Sequence, residues 1–444
     1  MGRTLIKNAT VVNEGETFEA DILIKDSFIE RIETTISDPN AKVIDVLGNY
    51  ILPGVIDDQV HFREPGLTHK GNIESESRAA IAGGITTFME QPNTNPQTTT
   101  IAKLEEKFAT AAKSSFANYS FLFGGTNDNL EELKKLDPKS CSGVKLFLGS
   151  STGNMLVDNE KVLEQIFLNT ELVISTHCED EGTIRKNLAK YKAEYGDDIP
   201  IKYHPIIRSE EACYLSSSKA IALAKKTGAR LHVFHLSTGK ETNLFVNDIP
   251  LEEKKITAEV CIHHLWFSES DYEDKGTLIK WNPAVKTAKD REDLWKALLD
   301  DRIDVIATDH APHLLSEKEN PYTKAPSGGP LVQHALPAML QKYAEGKIAI
   351  EKIVEKMCHN PAKLFDIEKR GYVKEGFYAD LVEVDLNSKW EVKKANIFYK
   401  CGWSPFEGVT FDSAVKRTFI NGHLAYEKGE LSKERHAKRL TFNR

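Results

Sequence analysis

The sequence lacks the features that would connect it with a membrane, an oxidising compartment or a nucleic acid. No apolar run is long enough to cross a bilayer, and residues 1–8 lack the apolar core of a signal peptide. The six cysteines are scattered with no CxxC pair, which is typical of reduced thiols. The formal net charge is only -8, with acidic and basic residues interspersed. We therefore expect a cytoplasmic protein that binds neither membranes nor nucleic acid.

The chain also lacks low-complexity linkers, and its one basic cluster is short. That cluster covers residues 433–439 and is expected to be a solvated tail. With 444 residues, of which 40% are hydrophobic, the chain can bury a large core and is too long for one small domain.

The middle of the chain alternates apolar, β-rich runs with helical patterns, which is typical of parallel βα units. Helical segments are expected at 73–82, 160–169, 210–227 and 290–299. Eight strand-like runs are present, at residues 55–61, 85–89, 119–123, 144–148, 172–177, 231–235, 256–260 and 305–309. This count predicts an α/β fold with a (β/α)8 TIM barrel.

Both ends of the chain carry short alternating strands instead. They are expected to form one small, discontinuous β-sandwich domain from residues 1–52 and 363–444. The barrel would then occupy residues 53–362, with Pro53-Gly54 marking the turn into its first strand.

One lysine and several metal-ligand side chains lie at the ends of the predicted barrel strands, where such barrels carry their chemistry. They are His61, Lys145, His177, His235 and Asp309. Lys145 ends an apolar run, and burial there would favour a neutral amine, which can react with carbon dioxide to give a metal-bridging carbamate. A lone histidine or lysine is usually structural, but five such residues at one barrel mouth indicate a divalent metal site.

Three motifs and the C-terminal segments resemble the dihydroorotases of the amidohydrolase superfamily. The motifs are Pro53–Gly66 (PGVIDDQVHFREPG), Gln91–Pro96 (QPNTNP) and Ala307–His313 (ATDHAPH). The resemblance spans nearly the whole chain, because Tyr378–Val382 and Cys401–Gly408 also resemble segments of that family.

The resemblance implies reversible cyclisation of N-carbamoyl-L-aspartate to L-dihydroorotate, a step of pyrimidine synthesis. One or two Zn²⁺ ions are implied, with His177 and His235 holding one metal and a carboxylated Lys145 bridging to the other. His61 and Asp309 would hold that second metal, and Asp309 would also act as general acid and base beside a metal-activated hydroxide.

Substrate recognition is expected to involve an arginine. Arg63 follows His61 by two residues, so strand alternation can aim its guanidinium into the same mouth, where it would bind a carboxylate bidentately. The resemblance adds Asn93 and His313 as carboxylate contacts and Asn282 as a ring contact, although both asparagines could equally cap their loops.

Gln59 departs from the family pattern, which has two histidines spaced two apart on the first strand. An amide oxygen is a weaker zinc ligand than an imidazole. Three interpretations follow: weak ligation by Gln59, a half-empty first site, or a non-catalytic relative. We favour an active enzyme, because Lys145, His177, His235, Asp309 and Arg63 are all present.

Alternative functions stay open at this point. A hydantoinase, dihydropyrimidinase or allantoinase would share the barrel, the lysine and the metals, whereas a pseudo-dihydroorotase would brace a partner such as aspartate transcarbamoylase. Arg63 favours a carboxylated ring, since a neutral ring would leave its guanidinium unpaired. Residues 314–330 form either a mobile flap or a static loop, and a homodimer is a family-level expectation.

Overall fold

The computed structural model describes residues 2–149 and 155–444. The N-terminal part forms five strands that precede the barrel. They are β1 (Arg3–Asn13), β2 (Glu16–Lys25), β3 (Phe28–Glu33), β4 (Lys42–Asp45) and β5 (Tyr50–Pro53). β1 is the organising strand, because it pairs with β2 in antiparallel fashion and with β4 and β5 in parallel fashion.

Eight parallel strands follow and form the predicted barrel, so the predicted fold class is confirmed. They are β6 (Val55–Val60), β7 (Ile85–Glu90), β8 (Asn118–Gly124), β9 (Gly143–Phe147), β10 (Ile174–His177), β11 (Leu231–Val233), β12 (Ile256–Cys261) and β13 (Val305–Ala307). Barrel strands that are consecutive in the sequence are adjacent in the sheet. The first and last strands meet where the His61 N–H donates to the His310 carbonyl at 2.7 Å.

The C-terminal strands return to the N-terminal sheet. They are β14 (Leu381–Asp385), β15 (Trp390–Glu391), β16 (Thr410–Phe411), β17 (Ala414–Ile420), β18 (His423–Glu427) and β19 (Glu430–Leu431). β14 pairs with β5 and so joins the two ends of the chain in one nine-stranded sheet, while β15 and β16 form a separate pair. The domain boundaries at residues 53 and 362 stay a prediction.

Helices cover the outside of the barrel, and their ends carry local signals. α7 begins after Ser209, whose hydroxyl accepts the Ala212 N–H, and ends at Gly228, which has a left-handed φ of 76°. The helices are α1 (Ile73–Ala82), α2 (Ile101–Ser114), α3 (Leu130–Leu133), α4 (Glu160–Leu168), α5 (Glu181–Tyr195), α6 (His204–Ile207), α7 (Glu210–Thr227), α8 (Ile262–Trp266), α9 (Tyr272–Lys275), α10 (Ala288–Leu299), α11 (Leu315–Lys318), α12 (Ala335–Ala344), α13 (Ile350–Val354) and α14 (Asn360–Leu364). Within residues 2–149 and 155–444, none of these helices is long and apolar enough to span a membrane.

The basic C-terminal cluster is anchored to the barrel through Lys438 and Arg439, so the expectation of a solvated tail was wrong for this part, whereas residues 433–435 are exposed. Lys438 accepts from the Tyr119 N–H and donates to Asn118, both at the start of β8. Arg439 forms an ion pair with Glu105 at 2.9 Å and stacks over Phe108. Glu105 and Phe108 on α2 explain this packing, because a carboxylate and an aromatic ring together bind the guanidinium of Arg439.

Candidate active site

A pocket of about 220 Å³ opens at the carboxyl ends of the barrel strands. It brings together all nine residues that the sequence analysis assigned to catalysis, metal or substrate. These are His61, Arg63, Asn93, Lys145, His177, His235, Asn282, Asp309 and His313. Gln59, Phe147, Trp281, Ala311 and the segment 326–328 complete the lining.

Three of the pocket residues have left-handed backbones, which side chains other than glycine rarely adopt. The φ angles are 72° for Arg63, 42° for His235 and 47° for Asp309. Neighbouring carboxylates support two of these turns: Glu259 accepts the His235 N–H at 3.1 Å, and Asp57 accepts the Thr308 hydroxyl at 2.6 Å. Backbone strain held in this way is typical of functional sites, where it aims a side chain.

The best-defined pair of metal-ligand atoms belongs to two histidines. His177 Nδ1 and His235 Nε2 lie 3.0 Å apart. Two nitrogens bound to one zinc ion in tetrahedral geometry are about 3.3 Å apart, so the pair fits a shared metal. Burial lowers the pKa of both imidazoles, which favours the neutral form that binds metals.

Glu179 orients His177, and the sequence analysis missed it. Its carboxylate contacts His177 Nε2 at 2.9 Å and also pairs with Arg208 at 2.5 Å. Burial alone would raise the pKa of Glu179, but Arg208 and His177 lower this pKa to about 2. A carboxylate on the far nitrogen of a metal-binding histidine fixes its tautomer. Its position two residues after His177 was the only sequence signal.

Lys145 lines the same pocket as these histidines and is 1% exposed. Its Nζ lies 4.1 Å from the ring centre of Phe234 and 5.0 Å from that of Phe147. Burial lowers the pKa of Lys145 to about 7, so a large share of its amine is neutral at physiological pH. The amine therefore has the character that carbamate formation requires.

The opposite side of the pocket mouth carries His61, Asp309 and Gln59. His61 Nε2 lies 3.1 Å from Asp309 Oδ1, while His61 Nδ1 contacts the Asn93 side-chain oxygen at 2.8 Å. Asn93, expected to bind substrate, thus also orients His61. The Gln59 amide nitrogen donates to Asp309 at 3.4 Å, and its oxygen faces Cys261. In this arrangement Gln59 supports Asp309 and directs no oxygen at a metal beside it.

These two groups of side chains suit divalent metal. Imidazole nitrogen and carboxylate oxygen are donors that zinc accepts, and both His61 and His177 have the outer nitrogen occupied by a hydrogen bond. A separate buried group, Asp58, His232 and Glu259, could also hold a metal ion, because its ligand atoms lie within 4.8 Å of one another. The sequence analysis did not identify that group.

The pocket lining also contains a buried arginine, Arg63. The Arg63 Nη2 atom lies 3.0 Å from His313 Nε2. Lys70, which lies outside the lining, places its Nζ 3.0 Å from His313 Nδ1 and pairs with Glu317 at 3.0 Å. Burial lowers the pKa of Arg63 only to about 10, so the guanidinium stays charged at neutral pH. Within the described residues, no carboxylate lies within 4.0 Å of Arg63. An anionic ligand group would satisfy this charge.

Two buried lysines hold the loop that contributes residues 326–328 to the pocket. Lys318 Nζ donates to the carbonyls of Pro326 at 2.8 Å and Gly328 at 2.7 Å. Lys280 Nζ donates to the carbonyls of Tyr322 and Ala325, each at 2.6 Å. These hydrogen bonds to backbone carbonyls tie residues 322–328 to the two lysines. The choice between a mobile flap and a static loop for residues 314–330 stays a prediction.

Comparisons with known proteins show the family of this chain. The amidohydrolase family profile matches residues 50–425. A dihydroorotase from Staphylococcus epidermidis is 33% identical over 437 residues, covering 96% of this chain and 99% of the relative. A dihydroorotase from Carboxydothermus hydrogenoformans is 34% identical over 436 residues, covering 96% and 98%. A dihydroorotase from Halobacterium salinarum is 35% identical over 368 residues, covering 82% and 84%.

Solved structures with a similar fold include hydantoinases. L-hydantoinase (dihydropyrimidinase) from Arthrobacter aurescens superimposes with a TM-score of 0.94 at 30% identity, covering 99% of this chain and 100% of that one. A D-hydantoinase structure gives a TM-score of 0.90 at 25% identity, with 99% of both chains covered. The chain belongs to the amidohydrolase family of hydrolases, and its predicted resemblance to dihydroorotases is confirmed.

Proposed function

We propose that the protein is a dihydroorotase that interconverts L-dihydroorotate and N-carbamoyl-L-aspartate with the help of zinc. The observation that carries this proposal is the charge layout of the pocket. The pocket combines a set of metal-ligand side chains with a buried arginine that has no carboxylate within 4.0 Å among the described residues. L-Dihydroorotate has the matching layout, with a ring amide to be opened and a carboxylate that survives the reaction.

The residues divide the reaction between them. His177, His235 and a carboxylated Lys145 would hold one zinc ion, and His61 with Asp309 would hold a second. When bound, the metals supply a water molecule acidified towards neutrality and polarise the carbonyl that is attacked. Asp309 accepts the proton of the attacking water and passes it to the leaving ring nitrogen, and it reverses the transfer during cyclisation.

Arg63 would orient the substrate. It would bind the substrate carboxylate through its Nη donors, next to His313, because its Nε–H already donates to the Pro312 carbonyl at 3.1 Å. Burial lowers the pKa of His313 well below its usual range, so this imidazole contributes a hydrogen bond and no charge. Asn93 and Asn282 also line the pocket and would contact the carboxylate and the ring, respectively.

A hydantoinase is the second candidate function, and the 0.94 TM-score to an L-hydantoinase favours it. Its ring substrates need no arginine, so the same pocket would leave Arg63 without a counter-charge. A cytoplasmic location, a homodimer and a non-catalytic role beside aspartate transcarbamoylase stay predictions from the sequence.

A substrate panel tests the proposal. The purified zinc-loaded protein should hydrolyse L-dihydroorotate with kcat/KM at least about 100-fold above that for hydantoin or allantoin, because a lost charged hydrogen bond costs roughly 3 kcal/mol. The Arg63→Met variant should lose most of that preference, mainly through a raised KM. Arg185→Met, an exposed arginine on α5, is the control and should behave as wild type.

Other outcomes would redirect the assignment. Efficient hydrolysis of hydantoin that Arg63→Met leaves unchanged would support the hydantoinase. A folded protein that turns over none of the three rings with zinc present would contradict both enzymatic proposals and favour the non-catalytic one.

A further inference from the structure

Three titratable side chains meet inside the barrel, apart from the pocket described above. Asp58 comes from β6, while His232 and Glu259 come from β11 and β12, and each is 0% exposed. A register shift in β6 between Asp57 and Val60 marks a bulge, which explains why Asp58 and Gln59 both reach inward. None of the three lines the pocket.

The hydrogen bonds around His232 determine which of its nitrogens carries a proton. Its Nδ1 lies 2.8 Å from the Thr257 hydroxyl oxygen, and that hydroxyl donates to the Leu231 carbonyl at 3.3 Å. Because a hydroxyl has one proton to give, Thr257 must accept from His232 Nδ1–H. The remaining nitrogen, Nε2, therefore faces the two carboxylates with either a lone pair or a second proton.

The ligand atoms of the group have no hydrogen-bond partners. These atoms are both carboxylate oxygens of Asp58, Glu259 Oε2 and His232 Nε2. The other Glu259 oxygen is occupied by the His235 N–H and the Cys261 thiol. Unpaired buried polar atoms are costly, so a positive species between these atoms must offset their burial.

The distances between these atoms distinguish a hydrogen bond from shared binding of a metal ion. His232 Nε2 lies 3.3 Å from Asp58 Oδ2 and 3.8 Å from Glu259 Oε2. A charge-assisted N–H···O bond is usually about 2.7–2.9 Å long, which is shorter than both distances. Two ligand atoms about 2.1 Å from one cation are about 3.4 Å apart at the tetrahedral angle and farther apart at wider angles. The spacing therefore fits two ligands on one ion.

The charge balance points the same way. Within the described residues, no lysine or arginine lies within 4.0 Å of Asp58 or Glu259. A protonated His232 balances one carboxylate and leaves the other to be neutralised by a proton of its own, and burial together with Asp58 raises the pKa of Glu259 to about 7. A divalent cation with a neutral imidazole would instead cancel both carboxylates without that second proton. His232 also carries the outer hydrogen bond that is usual for a metal-binding histidine.

We propose that Asp58, His232 and Glu259 hold a structural divalent transition-metal ion, of the zinc or manganese class, inside the barrel. Two carboxylate oxygens and one imidazole nitrogen are a donor set that such metals accept. The ion would tie β6 to β11 and β12, and through Glu259 it would support the backbone of His235 in the pocket. Because the group is fully buried, the metal would be acquired during folding and would resist chelators.

Anomalous diffraction from crystals of the full chain tests this inference. Data would be collected on either side of the zinc edge, and of the manganese edge for protein produced with manganese, after dialysis against a chelator. We expect an anomalous peak between the three side chains, both in the wild type and in a His177→Asn variant whose pocket site is disabled. A peak confined to the pocket, or none at all, would overturn the inference.

Variants and nuclear magnetic resonance make the test independent of crystal form. Asp58→Asn should lose one chelator-resistant metal equivalent per chain and melt at a lower temperature. If Asp58→Asn does not fold, Glu259→Gln takes its place in the test. The control is Asp304→Asn, which also removes a buried carboxylate but belongs to the Lys254 ion pair. Chelated wild type that shows both His232 nitrogens protonated in ¹⁵N spectra would establish the imidazolium and overturn the metal.

The outcome is separable from the proposed function. A protein inactive on dihydroorotate could still show the buried peak, and an active dihydroorotase with an empty group would overturn this inference alone.

Discussion

The two sides of the metal-binding end of the pocket differ in how complete they are. One side has His177, His235 and Lys145, with two imidazole nitrogens 3.0 Å apart. The other has His61 and Asp309, and the position where dihydroorotases carry a second histidine holds Gln59, whose amide donates to Asp309. The complete side should bind metal tightly and the depleted side weakly, because the oxygen of Gln59, the atom by which an amide binds metal, contacts Cys261 instead.

The residues that orient the histidines also favour metal binding on the complete side. His177 is oriented by a buried carboxylate, Glu179, whose charge Arg208 stabilises. His61 is oriented by the neutral side chain of Asn93. A carboxylate partner raises the basicity of a metal-binding imidazole more than an amide does, so the second set of contacts adds to the first difference.

The largest effect is expected from Lys145→Met, which removes the residue that we propose to bridge the two metals. Loss of several kcal/mol of metal-assisted stabilisation corresponds to a fall in kcat/KM of about 1,000-fold or more. The fold should persist, since methionine fits a buried site that a lysine occupies only by losing its charge. Dihydroorotate hydrolysis and circular dichroism measured together would check this, and a variant of near wild-type activity would contradict the bridge.

Glu179→Gln should weaken zinc binding on the complete side by about 10- to 100-fold, the usual effect of removing an outer partner of a metal ligand. Asn93→Ala is the matched change on the depleted side and should cost less. Zinc-dependence of activity in chelator-buffered solutions would measure both. A larger effect from Asn93→Ala would reverse the ranking of the two sides.

The pH dependence of reactivation should reflect Lys145. Its pKa of about 7 means that the amine is mostly protonated below that pH and mostly neutral above it, and only the neutral amine reacts with carbon dioxide. Metal-free protein given zinc and bicarbonate should therefore regain activity severalfold faster at pH 8 than at pH 6. Stopped assays at fixed dissolved carbon dioxide would show this, and a rate that did not change with pH would argue against carboxylation.

The smallest but most specific effect is expected from Gln59→His. An imidazole at this position would add a ligand to the depleted side and raise its zinc affinity by about tenfold or more, with little change in kcat once zinc is saturating. Activity measured against free zinc would show the shift to lower concentrations. An unchanged or weakened zinc dependence would mean that the structure cannot accommodate a second histidine there.

The sequence predicted the barrel and the location of the pocket because both follow from local patterns. Apolar runs such as Val144–Leu148 mark strands, and the residues at their carboxyl ends share one face of a barrel. Each predicted site residue lay in or next to such a run or in a short motif, so its placement required no knowledge of distant contacts.

The remaining features depend on contacts between segments far apart in the chain. Arg208 reaches Glu179 across 29 residues, and Asp58 meets His232 and Glu259 only because a bulge in β6 turns it inward. The orientation of Gln59 depends on Asp309, which is 250 residues away. The basic C-terminal cluster was misjudged for the same reason, since its partners lie on α2 and β8.

The difference between the two sides can be measured directly by anomalous diffraction at the zinc edge on crystals equilibrated at a series of free zinc concentrations. We predict that the position beside His177 and His235 fills at a concentration at least about tenfold lower than the position beside His61 and Asp309. Equal occupancy of the two positions at every concentration, or filling of the His61 side first, would contradict this account of the pocket.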